Sequence, residues 1–184
     1  MVILISGGVK SNKSTYGESL SIKLSKENKR IYVATMIPYD NEDLNRIKLH
    51  KENRKNKGFI TIEAPTDIDK IVNNDNKDAL FFVDSLTALV LNEMFKYENS
   101  KSIDEIASII NKELESLISK TKNTIFITDY IFNDYDNYSN FTIDYLKLFS
   151  KVLINLSNKS DLVIEMVSSI PKVLKGGSIY EEII

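Results

Sequence analysis

Short apolar runs rich in Val, Ile and Phe alternate along the chain with longer stretches of helical period. The runs are Val2–Ser6, Arg30–Ala34, Phe59–Glu63, Ala79–Asp84, Thr124–Thr128 and Leu162–Val167. They are apolar at nearly every position rather than every second one, which predicts strands covered on both faces in a parallel sheet. Ile103, Ile106, Ile110, Leu114, Leu117 and Ile118 fall on one helical face, with Lys and Glu on the other. A second long helix is expected over Phe141–Leu156, and a shorter one over Ser14–Lys26 with Leu20, Ile22 and Leu24 among its apolar residues. The polar stretch Asn133–Asn140 reads as a surface loop. The tail from Pro171, with Gly176 and Gly177, reads as a strand or hairpin end that packs loosely. The alternation predicts an α/β fold: one three-layer domain over residues 1–184, with a mostly parallel central sheet.

Composition narrows the chemistry. The 184 residues suffice for one domain with a sizeable core. A net charge of −2 gives no support for nucleic-acid binding. The absence of cysteine excludes disulfides and thiolate metal sites, and a single histidine excludes a multi-histidine site. No segment approaches the roughly 18 apolar residues of a membrane span. Met1 and Val2 run straight into a core strand, so a cytoplasmic location is expected.

The first strand leads into Gly7-Gly8-Val9-Lys10-Ser11-Asn12-Lys13-Ser14. This is the phosphate-binding P-loop, G-x-x-x-x-G-K-[ST], with Asn12 in place of the second glycine. In such a loop the turn's N–H groups and the positive end of the following helix cup an anion, and the lysine reaches the terminal phosphates. The Ser14 hydroxyl would hold Mg²⁺. The second glycine position favours positive φ, where Asn is the next-best residue. Asp84 closes the run ALFFVD, where P-loop proteins often carry an acid that holds Mg²⁺; the alternative is a cap on the helix that begins near Ser85. Asp129 follows the strand TIFI and could line the same crevice or be a loop acid. The only histidine, His50, lies among Arg46, Lys48, Lys51 and Arg54. That cluster could neutralise phosphates around a histidine nucleophile, or form a solvated helix face balanced by Glu42, Asp43 and Glu52. Tyr130, Tyr135 and Tyr138 could stack on a base, but read more simply as scattered surface tyrosines.

Taken together, ILISGGVKSNKS, IYVAT at 31–35, the acids and RIKLHK within 40–51, T-x-E at 61–63, VDSLTALVLN at 83–92 and VSSIP at 167–171 resemble one family. This is the bifunctional adenosylcobinamide kinase / adenosylcobinamide-phosphate guanylyltransferase family of cobalamin biosynthesis. The resemblance implies a P-loop fold and a homo-oligomer built on trimers. It implies two reactions: phosphorylation of adenosylcobinamide by ATP or GTP, then GMP transfer from GTP through a GMP-histidine intermediate. It assigns phosphate binding to Gly7 through Ser14 and the nucleophile to His50. Ala34, Thr35, Glu63 and Asp84 fall near its nucleotide-contacting regions. The chain departs from the family pattern at Asn12, at Lys10 where an arginine is usual, and across 129–156, where a glycine-rich loop and an arginine-rich helix start are missing. Those departures keep two alternatives open: a non-catalytic nucleotide- or corrinoid-binding relative, and a P-loop kinase for another small alcohol.

Overall fold

The computed structural model describes residues 1–38, 48, 51–52, 54, 57–98, 100–132 and 138–184. Its centre is a seven-stranded sheet of β1 (Val2–Gly7), β2 (Arg30–Ala34), β3 (Phe59–Glu63), β4 (Leu80–Asp84), β5 (Asn123–Asp129), β6 (Leu162–Val167) and β7 (Ile170–Lys175). The spatial order is β3-β2-β4-β5-β1-β6-β7, parallel throughout except for the β6–β7 pair. The helices are α1 (Lys13–Ser25), α2 (Leu86–Tyr97), α3 (Ile103–Lys120), α4 (Asn140–Lys159) and α5 (Gly177–Ile183), with a 3₁₀ turn at Ile68–Ile71.

The three layers follow from strand alternation. Val2, Leu4, Ile31, Val33, Phe81, Val83 and Phe126 face the core that α2, α3 and α4 cover. Ile3, Ile5, Tyr32, Phe82, Ile125 and Ile127 face the other side, against Leu20 of α1 and the flank of α5. Both faces are dry, which is why the strand runs carry no polar alternation. Serines set the starts of α2, α3 and α4. Ser85 accepts from the Ala88 N–H, Ser139 accepts from the Thr142 N–H, and Ser102 forms a reciprocal capping box with Glu105. Ser85, not Asp84, therefore caps α2, which leaves the Asp84 carboxylate for the crevice side.

Two expectations need correction. The α1 face against the sheet is Gly17, Leu20, Ser21 and Ser25, while Ile22 is exposed. A Cβ on Gly17 would meet Phe82 Cε2 at 2.6 Å and Ile127 Cδ1 at 2.8 Å, so proximity rather than an apolar stripe seats this helix. The tail does more than end a hairpin loosely. β7 pairs antiparallel with β6, with a register shift between Val163 and Ile164, and α5 then packs Ile179, Tyr180 and Ile183 on the second core. The stretch Asn133–Asn140 lies largely outside the described residues, and its last residue begins α4.

An ionic cluster sits where α2, α3 and the 3₁₀ turn meet. Glu93 is fully buried, accepting the Asp67 N–H at 2.7 Å and pairing with Lys96 at 3.3 Å. Lys96 also binds Asp67 at 2.8 Å. Burial, with the Glu93 charge second, pushes the Glu113 carboxyl up from 4.5 to about 7, and its Oε2 is buried without a hydrogen-bond partner. The folded chain thus binds a proton that the unfolded chain releases near pH 4.5. Stability from this group is complete below that pH and is lost as pH rises through about 7.

Two outcomes are expected. Glu113→Gln, which removes the titration, raises Tm at pH 8 by about 2 °C, a modest gain because the residue is only partly buried and its charge partly screened. The same substitution flattens the Tm-against-pH curve between pH 5 and 8; an unchanged curve refutes the assignment. Gly17→Ala lifts α1 off the sheet and lowers unfolding free energy by about 1–3 kcal/mol in denaturant titration.

Candidate functional site: a phosphate turn facing an acid-lined cleft

The turn between β1 and α1 is shaped by contact and by backbone. Gly7 ends β1 with no room for a side chain, since a Cβ there would sit 2.5 Å from Ser11 Oγ and 2.9 Å from the Met166 carbonyl. Gly8 is open, and Val9 projects into solvent, 83% exposed, so it offers the loop its backbone alone. Lys10 and Asn12 both take left-handed backbone, at φ 60° and 70°. Asn12 therefore adopts the conformation that explains a glycine at this place, and it does so as the residue preceding α1 without a side-chain cap. The Ser11 N–H donates to the Gly8 carbonyl at 3.2 Å, and Ser11 Oγ is buried without a partner.

Lys13 and Ser14 open α1. Lys13 Nζ lies 2.6 Å from Asp129 Oδ1 and 3.2 Å from the Gly8 carbonyl. Asp129, at the end of β5 beside Gly7, is fixed by its N–H to Thr87 Oγ1 at 2.9 Å. It is thus a crevice acid, not a loop acid. Ser14 lines the same cleft as Asp84, which ends β4, and the Tyr32 hydroxyl donates to Asp84 Oδ2 at 2.8 Å. Burial pushes the Asp84 carboxyl up; the hydrogen bonds from Tyr32 and Ser14 act against that. Tyr32 is itself pushed well up, by burial first and the Asp84 charge second.

These groups border a cleft of about 740 Å³ at the carboxyl ends of the strands. It is lined by Ser14, Ala34, Glu63, Asp84 and Asp129, by Glu18, Lys51, Arg54 and Lys57, and by the apolar Met36, Ile37, Pro38 and Leu91. Lysines and carboxylates pair across its wall: Lys51 with Glu63, and Lys57 with Glu18. Of the residues expected from sequence, Ser14, Ala34, Glu63 and Asp84 meet here, and Lys13 joins them through Asp129. Thr35 lies just below, wholly buried. Its hydroxyl donates to the Ser85 carbonyl and accepts the Ser85 N–H, both at 2.8 Å, which ties β2 to the start of α2. His50 and Arg46 lie outside the described residues.

Arg54 departs from a solvated helix face. It is 5% exposed, with its guanidinium 3.5 Å from the centre of the Tyr32 ring. Tyr32 and Thr87 were not singled out by sequence. The available signal for Tyr32 was a hydroxyl-bearing ring inside the otherwise apolar run IYVA. Tyr130 is exposed, packed edge-on against Phe132.

The donor set suits Mg²⁺. Ser14 and Asp84 offer a hydroxyl and a carboxylate side by side, and Mg²⁺ is usually held by one or two protein oxygens together with substrate phosphates. Among the described residues no group of three or more His, Asp or Glu forms a cage for a metal without substrate. Nor, among them, is any helix long and apolar enough to cross a membrane.

Solved structures share this architecture. The flagellar accessory protein FlaH from Methanocaldococcus jannaschii covers 95% of this chain and 77% of its own, at TM-score 0.54 and 15% identity. A prototypical ATPase from the type III secretion system of pathogenic bacteria covers 90% of this chain and 51% of its own, at 0.58 and 12%. At such identities the likeness is one of fold: an α/β domain with a mostly parallel sheet, as in P-loop ATPases. In sequence, the bifunctional adenosylcobalamin biosynthesis protein CobU of Escherichia coli (strain K12) is 30% identical over 125 residues, 65% of this chain and 67% of that protein. The CobU family model, cobinamide kinase / cobinamide phosphate guanyltransferase, matches residues 3–174. The chain that builds this phosphate turn and cleft therefore belongs to the cobinamide kinase / cobinamide phosphate guanyltransferase family, whose members join a kinase to a nucleotidyltransferase.

Proposed function

We propose that this chain phosphorylates adenosylcobinamide with ATP or GTP and then transfers GMP from GTP to the phosphorylated product, with His50 as the guanylylated nucleophile. The observation that supports the reading most directly is the convergence of Lys13, Ser14, Asp84 and Asp129 on one cleft at the helix N-terminus. The turn from Gly7 to Ser14 would present backbone N–H groups and the α1 dipole to the nucleotide phosphates. Lys13 would exchange Asp129 for a phosphate oxygen. Ser14 and Asp84 would hold Mg²⁺, which when bound supplies charge neutralisation at the phosphates. In the kinase step the substrate hydroxyl attacks the γ-phosphorus, the β–γ bridging oxygen leaves with the nucleoside diphosphate, and the hydroxyl proton passes to water. The chain's contribution is positioning and electrostatics.

In the second reaction a neutral histidine attacks the α-phosphorus and pyrophosphate leaves. The cobinamide phosphate oxygen then displaces the histidine. Ala34 and Glu63 line the cleft within reach of a bound nucleotide, whereas Thr35 acts on their backbone frame. The apolar strip Met36–Pro38 with Leu91 supplies a wall for the bulky corrinoid. A homo-oligomer built on trimers completes the proposal, on the family resemblance alone.

Incubation with α-labelled GTP and Mg²⁺ is expected to leave acid-labile, base-stable label on the protein, and none on His50→Ala. Label that persists in that variant removes His50 from the mechanism. Absence of label with GTP-dependent thermal stabilisation favours a binding protein, and cobinamide phosphorylation without GMP transfer favours a kinase alone. Asn12→Gly is expected to keep nucleotide affinity. Asn12→Val, forcing a β-branched residue to positive φ, is expected to lose stability by about 1–3 kcal/mol and to weaken nucleotide binding in calorimetric titration.

A further inference from the structure

Tyr32 meets two parts of the site with two parts of one side chain. Its ring belongs to the core beneath α1, 5.3 Å from the Phe82 ring and 6.3 Å from Phe59 between centroids. The Arg54 guanidinium stacks at 3.5 Å from the ring centre. Its hydroxyl reaches Asp84 Oδ2 at 2.8 Å. Register explains the reach. Tyr32 is level with Phe82 across the β2–β4 pair, and Asp84 lies two residues further on the same face, level with Ala34. That diagonal is within range of a long aromatic side chain and beyond a short one. Ser14 of α1 lines the same cleft as that carboxylate.

We propose that Tyr32 is a positioning residue: its hydroxyl fixes the Asp84 carboxylate beside Ser14, and its ring face seats Arg54, so that one side chain registers the phosphate site with the Arg54 guanidinium. Tyr32 touches neither nucleotide nor metal in this role. It acts through Asp84 on one side and through Arg54 on the other. A guanidinium stacked on an aromatic face in a largely buried setting is held by the ring and by desolvation together. A hydroxyl bonded to a carboxylate removes one rotational choice from a ligand that must meet a small, geometrically strict cation.

The inference rests on the reading of Ser14 and Asp84 as metal-holding residues, and the test separates the two. The full chain is titrated by calorimetry with an α,β-methylene analogue of GTP, once in excess Mg²⁺ and once in chelator; the ratio of affinities is the gain due to the ion. Asp84→Asn is expected to abolish the gain. Tyr32→Phe, which keeps the ring and its packing, is expected to reduce the gain about tenfold with affinity in chelator unchanged. Arg54→Met is expected to preserve the ratio while the peptide over residues 51–58 loses amide protection in hydrogen exchange, a protection that Tyr32→Phe retains. A full gain in Tyr32→Phe beside an abolished gain in Asp84→Asn overturns the inference and leaves the reading intact. A gain that survives Asp84→Asn, or that the unsubstituted protein lacks, overturns both. An equal loss of gain in Arg54→Met overturns the assignment to the hydroxyl.

Discussion

The site depends on how closely α1 lies against the sheet. Its first turn must bring N–H groups to the crevice beyond β1 and β4, and that is possible only if the helix body sits flush on Phe82 and Ile127. Gly17 permits this approach, since any side chain there would occupy the volume of those two residues. Gly7 plays the matching part at the strand end, against Ser11 and the Met166 carbonyl. Between Gly7 and Lys13 the chain reverses direction within a short turn, and it does so with left-handed backbone at Lys10 and Asn12. The chemistry of Lys13 and Ser14 is thus inherited from steric contacts that carry no charge.

Around that turn, charge is arranged in pairs rather than as a bare cationic surface. Lys13 rests on Asp129, Lys51 on Glu63, Lys57 on Glu18, and Arg54 on the Tyr32 ring. Stacking and pairing keep these cations near the cleft without the cost of leaving partly buried charges alone. At Lys13, which is nearly buried, an incoming polyphosphate would replace one anionic partner by another, so the desolvation of that lysine is largely met before binding. Asp84 is the counterpart on the acid side. Burial disfavours its charge, and hydrogen bonds from Tyr32 and Ser14 offset part of that penalty. A carboxylate kept by such donors is preorganised for a cation, which supplies what burial takes away.

Much of this was readable in the chain. The strands announced themselves because a sheet covered on both faces needs apolar residues at every position, and six of the seven fell where the apolar runs lie. The seventh, β7, was readable only as a strand or hairpin end from Pro171. It is an edge strand with polar and exposed positions, joined to β6 by Ser168 and Ser169, which take the positive φ that Asn-Gly would advertise. Helix α1 was legible by position but not by face: Gly17 and Ser21 bury themselves through proximity, which hydrophobicity does not encode, and Ile22 turns outward. The phosphate turn was legible because each of its parts has a fixed offset. Tyr32 and Arg54 were not, since their meeting joins β2 to a residue well beyond its end, and no local spacing marks a stacking pair.

The departures from the family pattern fall where the fold has slack. Asn12 stands at a backbone angle that asparagine tolerates better than other non-glycine residues, so the turn keeps its shape. Lys10 faces solvent, where losing the bidentate fork of an arginine leaves no buried donor or acceptor unmet. The divergent region from 129 onward still supplies Asp129 to Lys13 and, through α4, Leu148, Phe149, Val152 and Leu156 to the core. Tyr145 on the same helix donates to the Thr87 carbonyl at 2.9 Å, and Thr87 in turn fixes Asp129. Residues of the divergent helix therefore reach back to the same acid. The fold asks two things of this region, a carboxylate for Lys13 and an apolar stripe against the sheet. Both can be met by many sequences, because neither constrains the side chains that face solvent between them.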